Sequence, residues 1–288
     1  MSETTAGTET ETIPPELRDA LDHKIHSGTL ELPVLPEVAT EVISAASDEE
    51  CDLRKLSDII GRDQSMTSHL LRLANSALYA TNTPIVSLQQ ALNRFGLKKI
   101  REIALIISCQ GQVFRVEGFD DEVRTQFRHS LAAAAFAQEI ARLRRWNVEE
   151  AFLCGLLHDI GKPVLLQTLV DLDRKLKTNA SHEAIYNACN DLHADVGAEL
   201  VKFWKLPARL SDTIRFHHNP EASETAAQTA SMTCLANDFA HYACGPRNVD
   251  ADELRSHDMV TPLNIYPEEM DGLIDRKDDT MKVVEAIS

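Results

Sequence analysis

The sequence lacks the features of a membrane-spanning or secreted protein. It contains no apolar run of about 18 residues, the length that a transmembrane helix needs. Its first residues, MSETTAGTETET, lack the basic start and the apolar stretch of a secretory signal. Because threonine and glutamate dominate this segment, residues 1–13 are expected to form a disordered, solvated tail. We therefore predict a cytoplasmic protein with no membrane partner.

Cysteine pairs with metal-binding spacing are also missing. The chain has six cysteines, and none of them forms a C-x-x-C pair. Scattered cysteines in a chain that is not secreted are mostly small buried hydrophobic residues. The pattern therefore argues against a zinc site built from thiolates. The six are Cys51, Cys109, Cys154, Cys189, Cys234 and Cys244.

Positive charge is scarce. The chain has 29 lysines and arginines against 45 aspartates and glutamates, a formal net charge of -16. An acidic surface repels the phosphates of nucleic acids and of anionic membranes. The segment DLRKLSDIIGRDQSMTSHLLRLANS does have the outline of a helix-turn-helix, with two short helical patterns joined near Gly61. Two packed helices with a glycine turn are common in any helical domain, so a nucleic-acid partner is not expected.

Alternating segments long enough to indicate a β-strand are absent, and helical spacing dominates instead. Leu17, Leu21 and Ile25 repeat at intervals of four. Ser87 and Gln90 fit a capping box at the start of a helix. The glycine at position 96 is placed to end that helix, and another follows it. We predict an all-α protein, a multi-helical bundle in two lobes.

The segment 111–123 breaks the helical pattern with glycines and acidic residues, and we interpret it as the junction between the lobes. The predicted organisation is the tail 1–13, an N-terminal helical lobe over 14–115, a C-terminal lobe over 116–245 and a C-terminal tail over 246–288. That last segment is mixed, acidic and contains proline. We expect it to wrap the surface or fray.

Histidine is concentrated in the C-terminal lobe, where it lies on apolar helix faces. Seven of the eleven histidines lie between His129 and His241. His129 shares a helical face with apolar residues, so its ring is expected to point into the core. The run AFLCGLLHDIGKPVLL predicts one helix that is apolar nearly all round, interrupted by His158 and Asp159 and ended by Gly161.

Three further helical segments bring polar residues to apolar faces. The segment HADVGAELVKFWKLP does so for His193, PARLSDTIRFHHNP for His217 and His218, and SMTCLANDFAHY for Asp238. Burying an imidazole beside a carboxylate is costly unless something pairs them, and a metal ion is the natural partner. The candidate metal ligands are His129, His158, Asp159, His193, His217, His218 and Asp238.

This ligand set indicates two ions rather than one. Seven nitrogen and oxygen ligands without thiolate suit iron, manganese, nickel, zinc or magnesium, and they are too many for one tetrahedral ion. They fit two six-coordinate ions bridged by Asp159. Two adjacent ions activate water and hold phosphate oxygens, and Lys162 is placed to hold a substrate phosphate. Taken singly, each histidine is also compatible with a hydrogen-bonded core position, and the pair His217–His218 with a helix end.

The order of these residues resembles a known pattern. His129, then His158 and Asp159 in the string HDIGK, then Asp238, resembles the H…HD…D pattern of the HD metal-dependent phosphohydrolase superfamily. The resemblance implies that these residues hold metal for the hydrolysis of a phosphoester.

The remaining histidines are similar to those of one branch of that superfamily. His193, His217 and His218 match the additional ligands of the HD-GYP branch, which carries two or more iron or manganese ions. The string HHNPEASE departs from that branch, because the run D-G-x-G-Y-P is missing after the paired histidines. Hydrolysis of cyclic di-GMP, as in that branch, is therefore not implied.

The N-terminal half resembles the HDOD family. The similarity is specific at Leu32–Pro33, at Asn75–Ser76 and from Ala91–Leu92 through Gly96, and it extends from about Leu32 to His218. Proteins of this family are bacterial signalling or output modules, and many have lost the metal ligands. The resemblance implies a signalling role for a chain that keeps the histidines and aspartates of the motif.

Two functions follow from these observations. In the first, the chain is a signal-transduction protein whose dinuclear metal centre hydrolyses a phosphoester of a nucleotide or cyclic nucleotide, with Asp159 and Lys162 as the catalytic residues. In the second, it is a non-catalytic signalling or output module whose metal is structural or sensory. A signalling partner protein is expected in either case, and a nucleotide ligand in the first.

Overall fold

The computed structural model describes residues 11–45, 52–76, 79, 84–113, 115–245 and 247–287, apart from the side chains of residues 112 and 113. Residues 1–10 of the predicted N-terminal tail lie outside this part of the chain. Every regular element in the described ranges is helical, which confirms the predicted all-α fold class. None of these helices is long and apolar enough to cross a membrane.

The α-helices follow one another through short turns, with a π-helical turn at Cys109–Val113 and a 3-10 turn at Pro220–Ala222. In chain order they are α1 (Pro15–His26), α2 (Glu37–Ala45), α3 (Leu53–Ile60), α4 (Gln64–Ala74), α5 (Leu88–Ser108), α6 (Asp120–Arg144), α7 (Val148–Leu157), α8 (Gly161–Leu176), α9 (His182–Phe203), α10 (Ala208–Phe216), α11 (Ala227–Cys244), α12 (Ala251–Arg255), α13 (Pro267–Ile274) and α14 (Lys277–Ile287).

Helices α2 to α5 enclose a small apolar core of their own. Val42, Leu56 and Leu92 are fully buried in it. The side chains of Asp52 and Asp63 accept backbone N–H groups at the starts of α3 and α4, at 2.9 Å and 3.0 Å. These caps satisfy donors that the first turn of a helix leaves free. The short helices of this lobe are thus fixed at their starts and packed on one side.

Helix α5 confirms two predictions from the sequence. The Ser87 hydroxyl accepts the Gln90 N–H at 3.2 Å, and the Gln90 side chain accepts the Ser87 N–H at 3.3 Å, which is the predicted capping box. Gly96 has φ 72° and ψ 167°. Side chains with a Cβ rarely adopt a positive φ of this kind, so a glycine joins the two helical segments of α5.

The larger core is built around α6, which packs against α7 and α11, while α8 packs against α9 and α9 against α10. Two glycines let these backbones approach closely. A Cβ on Gly155 would lie 2.5 Å from the Ala134 Cα, and a Cβ on Gly161 would lie 2.0 Å from the His193 carbonyl oxygen. No side chain fits at these distances, so the helix crossings depend on glycine.

The segment AFLCGLLHDIGKPVLL forms two helices rather than the one predicted. Helix α7 ends at Leu157 and α8 begins at Gly161, so this glycine starts a helix instead of ending one. His158, Asp159 and Ile160 form the turn between them. The apolar pattern did not reveal the break because both helices are buried on most sides.

The N-terminal helix α1 belongs to the larger core. It packs against α8, and its Leu17 and Leu21 are fully buried there, although the sequence-based division put the helix in the segment 14–115. Helix α1 therefore contributes to the larger core.

Residues 247–287 form α12, α13 and α14, whereas the sequence suggested a surface tail that wraps or frays. Leu254, Met270 and Val284 are buried, and α13 and α14 pack against α6. These helices are short, between 5 and 11 residues, so each carries too few apolar positions for a clear helical period. The segment completes the larger core.

Candidate metal centre

The turn between α7 and α8 places His158 and Asp159 inside the larger core. His158 is fully buried and Asp159 is 2% exposed. The Nδ1 atom of His158 donates to the Gly155 carbonyl oxygen at 2.8 Å. Since a carbonyl only accepts, Nδ1 carries a proton, and in the neutral ring Nε2 is the nitrogen left to bind a metal ion. Nε2 lies 3.3 Å from Oδ2 of Asp159.

Two histidines on other helices are held in the same way. The Nδ1 atom of His193, on α9, donates to the Asn190 carbonyl oxygen at 2.8 Å. The Nδ1 atom of His217, at the end of α10, donates to the Ile214 carbonyl oxygen at 2.6 Å. Bonds of this kind fix the tautomer and the ring orientation of metal-binding histidines. Each Nε2 atom is thereby directed into the core.

These two rings and His218 surround one oxygen of Asp159. Oδ1 lies 3.0 Å from Nε2 of His193 and 3.9 Å from Nε2 of His217. Nε2 of His218 lies 3.0 Å from Nε2 of His193. Together these four residues offer ligand atoms within 4.8 Å of one another. They are termed the His193 group.

The other oxygen of Asp159 faces a second set. Oδ2 lies 3.3 Å from Nε2 of His158 and 3.9 Å from Nε2 of His129, which projects from the middle of α6. These three residues, termed the His129 group, also offer ligand atoms within 4.8 Å of one another. Asp159 therefore stands between two sets of nitrogen ligands, one oxygen toward each. A carboxylate in that position suits a pair of neighbouring ions.

Asp238 does not belong to either group, which corrects the expectation that it projects inward with the histidines. Its carboxylate lies 3.2 Å from Nη1 of Arg247 and 3.3 Å from Nε2 of His257, away from Asp159. The spacing on α11 misplaced it because apolar residues cover most sides of that helix. On such a helix, the spacing of the apolar residues does not show which of the polar positions between them face the core.

The preceding residue, Asn237, faces the His129 group instead. Its Oδ1 lies 2.9 Å from Nε2 of His129 and 3.2 Å from Nε2 of His158. Asn237 is 6% exposed. Asn237 was not predicted, because its only signal in the sequence is its position beside a candidate aspartate.

Gln126 was also missed. Its Nε2 donates to Oδ2 of Asp159 at 2.7 Å, and Nζ of Lys162 donates to the same oxygen at 2.7 Å. Gln126 lies one turn before His129 on α6, and that spacing was the signal that could have found it. Lys162 therefore holds the carboxylate from the first turn of α8, three residues after Asp159.

The electrostatics favour the forms that bind cations. Burial, reinforced by neighbouring imidazoles, lowers the pKa of His129 and of His217 well below the usual value, and it lowers the pKa of His218 to about 4. Burial by itself would raise the pKa of Asp159, but Lys162 and the nearby imidazoles outweigh it and hold that pKa well below the usual value. Neutral imidazoles and an ionised carboxylate are the ligand forms of these side chains.

Two buried ligand atoms of the His193 group have no hydrogen-bond partner, Oδ1 of Asp159 and Nε2 of His217. Leaving such an atom unsatisfied costs about 1–3 kcal/mol. A cation between them would satisfy both. The residues present therefore fit a metal ion, and nitrogen and oxygen donors without thiolate suit a transition metal.

The other histidines and cysteines that the structure describes lie outside both groups. The ring of His241 lies 4.4 Å from that of His129, and burial lowers the pKa of His241 to about 4. Burial also raises the pKa of Cys109 and of Cys154 to about 12, so neither thiol ionises readily. Within the described residues, the groups that could hold a metal contain no cysteine.

The fold is shared with solved bacterial structures. An HDOD domain protein of unknown function from Geobacter sulfurreducens matches with a TM-score of 0.70 at 24% identity, over 95% of this chain and 97% of that one. A protein of Shewanella amazonensis SB2B, provisionally assigned as a metal-dependent phosphohydrolase, matches with a TM-score of 0.70 at 21% identity, over 93% and 98% of the two chains. At these identities the likeness shows the fold alone.

The sequence of this chain matches two curated proteins and one domain family. Ribonuclease Y of Mycoplasmoides gallisepticum (strain R(low / passage 15 / clone 2)) is 36% identical over 138 residues, which are 47% of this chain and 22% of that protein. The chain spans less than half the length of the curated relatives it matches, 42% and 22%. The HDOD domain family matches residues 32–220, which is more than half of the chain. The chain therefore belongs to the HDOD domain family.

Proposed function

We propose that this HDOD protein is a signal-transduction protein that hydrolyses a phosphoester of a nucleotide or cyclic nucleotide at a pair of metal ions, with iron or manganese expected. The observation that carries the proposal is the position of Asp159, which has one oxygen toward each of two sets of imidazole nitrogens. When bound, the ions would act as Lewis acids on phosphate and on water.

The chain's own residues would hold and orient this centre. Gln126 and Lys162 fix the carboxylate of Asp159 through the two hydrogen bonds to Oδ2. The Lys162 side chain is 17% exposed, so its ammonium lies at the edge of the site, where a substrate phosphate would arrive. The proposed ligands are Asp159 with His129, His158, His193, His217 and His218.

Access to the centre is narrow. The side chains of His129, His158, His193 and His217 are at most 3% exposed, whereas His218 is exposed. His218 and Lys162 are therefore the side chains of the site that solvent reaches. A phosphate group that protrudes from a small molecule would meet them first.

The relatives support phosphoester chemistry and leave the substrate open. One structural neighbour is provisionally assigned as a metal-dependent phosphohydrolase, and one sequence relative is named as a ribonuclease. A long nucleic acid would meet a chain of formal net charge -16, which repels its phosphates. A nucleotide or cyclic nucleotide is therefore the favoured substrate class.

The test is metal reconstitution followed by an assay. Metal-free protein is loaded with Mn²⁺ or, without oxygen, with Fe²⁺, and is offered bis(p-nitrophenyl) phosphate and a panel of linear and cyclic nucleotides. We expect turnover that depends on the metal and that is lost together with bound metal in His158→Ala. His182→Ala is the matched control, because His182 is half exposed and stacks on Phe119 outside both groups.

A second candidate function is a non-catalytic signalling module that binds a partner protein and uses the metal as a structural or sensory element. The near-complete burial of the ligand atoms favours it, since a structural ion needs no access for substrate. Two bound ions without turnover on the whole panel would contradict hydrolysis and support this alternative.

A further inference from the structure

We infer that the two ligand groups bind metal with unequal affinity, and that Asn237 makes the His129 group the weaker one. The inference rests on the proposed function only in that the cluster binds metal. It concerns the order in which the two positions fill, and whether the second stays filled.

The donor atoms of the two groups differ. The His193 group offers three imidazole nitrogens and Oδ1 of Asp159. The His129 group offers two imidazole nitrogens, Oδ2 of Asp159 and the neutral amide oxygen of Asn237. Imidazole is a good ligand for transition ions, whereas neutral oxygen donors suit magnesium, calcium and manganese better. By donor type alone, a transition ion prefers the His193 group.

The contacts already made within each group reinforce the difference. In the His129 group, Oδ1 of Asn237 contacts both imidazoles, and Oδ2 of Asp159 already accepts from Gln126 and Lys162. An ion entering there competes with these contacts.

The ligand atoms of the His193 group are less satisfied, since in the His129 group the atom without a partner is Nδ1 of His129, which faces away from Asp159's contact with Nε2. Oδ1 of Asp159 and Nε2 of His217 are buried without a hydrogen-bond partner. An ion entering this group therefore removes an existing penalty and competes with fewer contacts.

The charge of the site also weakens the binding of a second ion. Asp159 is the one carboxylate in the two groups, and Lys162 already neutralises part of its charge. A second divalent ion would enter beside the first with no further carboxylate to offset the repulsion. An aspartate at position 237 would supply that charge, and an asparagine does not.

The consequence is a centre that keeps one ion while its other position fills and empties with the supply of free metal. Chemistry that needs two ions would then run only when metal is plentiful. Asn237 would set the metal concentration at which the second position fills.

The test is a titration of metal-free full-length protein with Co²⁺, followed by calorimetry and by visible absorbance. The wild type should bind one Co²⁺ tightly and a second at least about tenfold more weakly, the scale on which a single polar neighbour changes metal affinity. Asn237→Asp should strengthen the second binding step by about tenfold or more, on the same scale, and leave the first step unchanged. His218→Ala should weaken the first step.

The adjacent residue supplies a matched control. Asp238→Asn makes the opposite exchange one position along α11, where the side chain contacts Arg247 and His257 and accepts only a long hydrogen bond of 3.4 Å from Nδ2 of Asn237, which an asparagine oxygen can also accept, so it should change neither step. Asn237→Ala covers the case in which a second carboxylate opposite Asp159 prevents folding. It should abolish the second step and keep the first, with thermal unfolding confirming that the variant is folded.

Equal affinities in the wild type, or a second step that ignores both substitutions at position 237, would overturn the inference. These outcomes are separate from those of the activity assay. Hydrolysis could proceed at two equal ions, which would sink the inference and keep the proposed function. Unequal binding without turnover would overturn the proposed function and keep the inference. An absence of any Co²⁺ binding would overturn both.

Discussion

The two cores of this molecule bury different kinds of residue. The small core of α2 to α5 is made of apolar side chains such as Leu56 and Leu92. The larger core also buries His158, Asp159 and His217, each at most 2% exposed. Apolar burial stabilises a fold directly, whereas buried imidazoles and carboxylates cost free energy until a partner pairs them. The comparison indicates that the first core serves packing and that the second is built around a site.

The largest effect is expected where the larger core is closest packed. Gly161→Ala should lower the free energy of unfolding by more than about 3 kcal/mol, because the new Cβ would lie 2.0 Å from a backbone oxygen of α9. It would also push Asp159 away from His193, so bound metal should fall. Urea denaturation and metal analysis measure the two effects.

Gly272→Ala is the control for that substitution. A Cβ at Gly272 meets nothing within 4 Å, and alanine favours the helix, so stability should stay the same or rise by up to about 1 kcal/mol. Similar losses in both variants would contradict the close crossing of α8 and α9.

The next largest loss of stability is expected in the small core, without a loss of bound metal. Leu92→Ala should cost about 2–5 kcal/mol, because it leaves a cavity in the small core. Bound metal should stay unchanged in the folded protein, since Leu92 lies outside both ligand groups. Denaturation measured together with metal content checks this. Loss of metal from folded Leu92→Ala would show that the cores are not separate in function.

The smallest effect concerns a local cap. Ser87→Ala should cost about 1 kcal/mol, because it removes the hydroxyl that accepts the Gln90 N–H in the capping box. Ser68→Ala, at an exposed position in α4, should change stability by less than about 0.5 kcal/mol. Thermal unfolding of the two variants measures the difference. Equal stabilities would show that the Ser87 hydroxyl does not stabilise the protein.

The sequence predicted those features that have a local signal. Ser87, Gln90 and Gly96 are chemically suited to a helix start and a helix break, and they lie where predicted. Six of the seven predicted ligands converge, because an imidazole on an apolar face points into the core whatever the topology. Each of these features depends on a few residues that are close in sequence, so the rest of the fold does not alter it.

Other features depend on the fold as a whole. Asn237 and Asp238 are adjacent on a helix that is buried on most sides, so only the packing of α11 against α6 and α7 decides which of them faces the site. The break between α7 and α8 lies where Gly161 meets the backbone of α9 at His193 and Gly197. Such contacts join residues far apart in the chain, and spacing along the sequence does not record them.

The hydrogen bonds from Nδ1 of His158, His193 and His217 to the chain's own carbonyl groups also have a kinetic meaning. Three rings are set when the protein folds, so an arriving ion would meet a rigid receptor and would wait for little rearrangement. His218 differs, since it is exposed and has no such bond among the described contacts. The residence time of an ion in the His193 group would then depend on how fast the His218 ring rotates away.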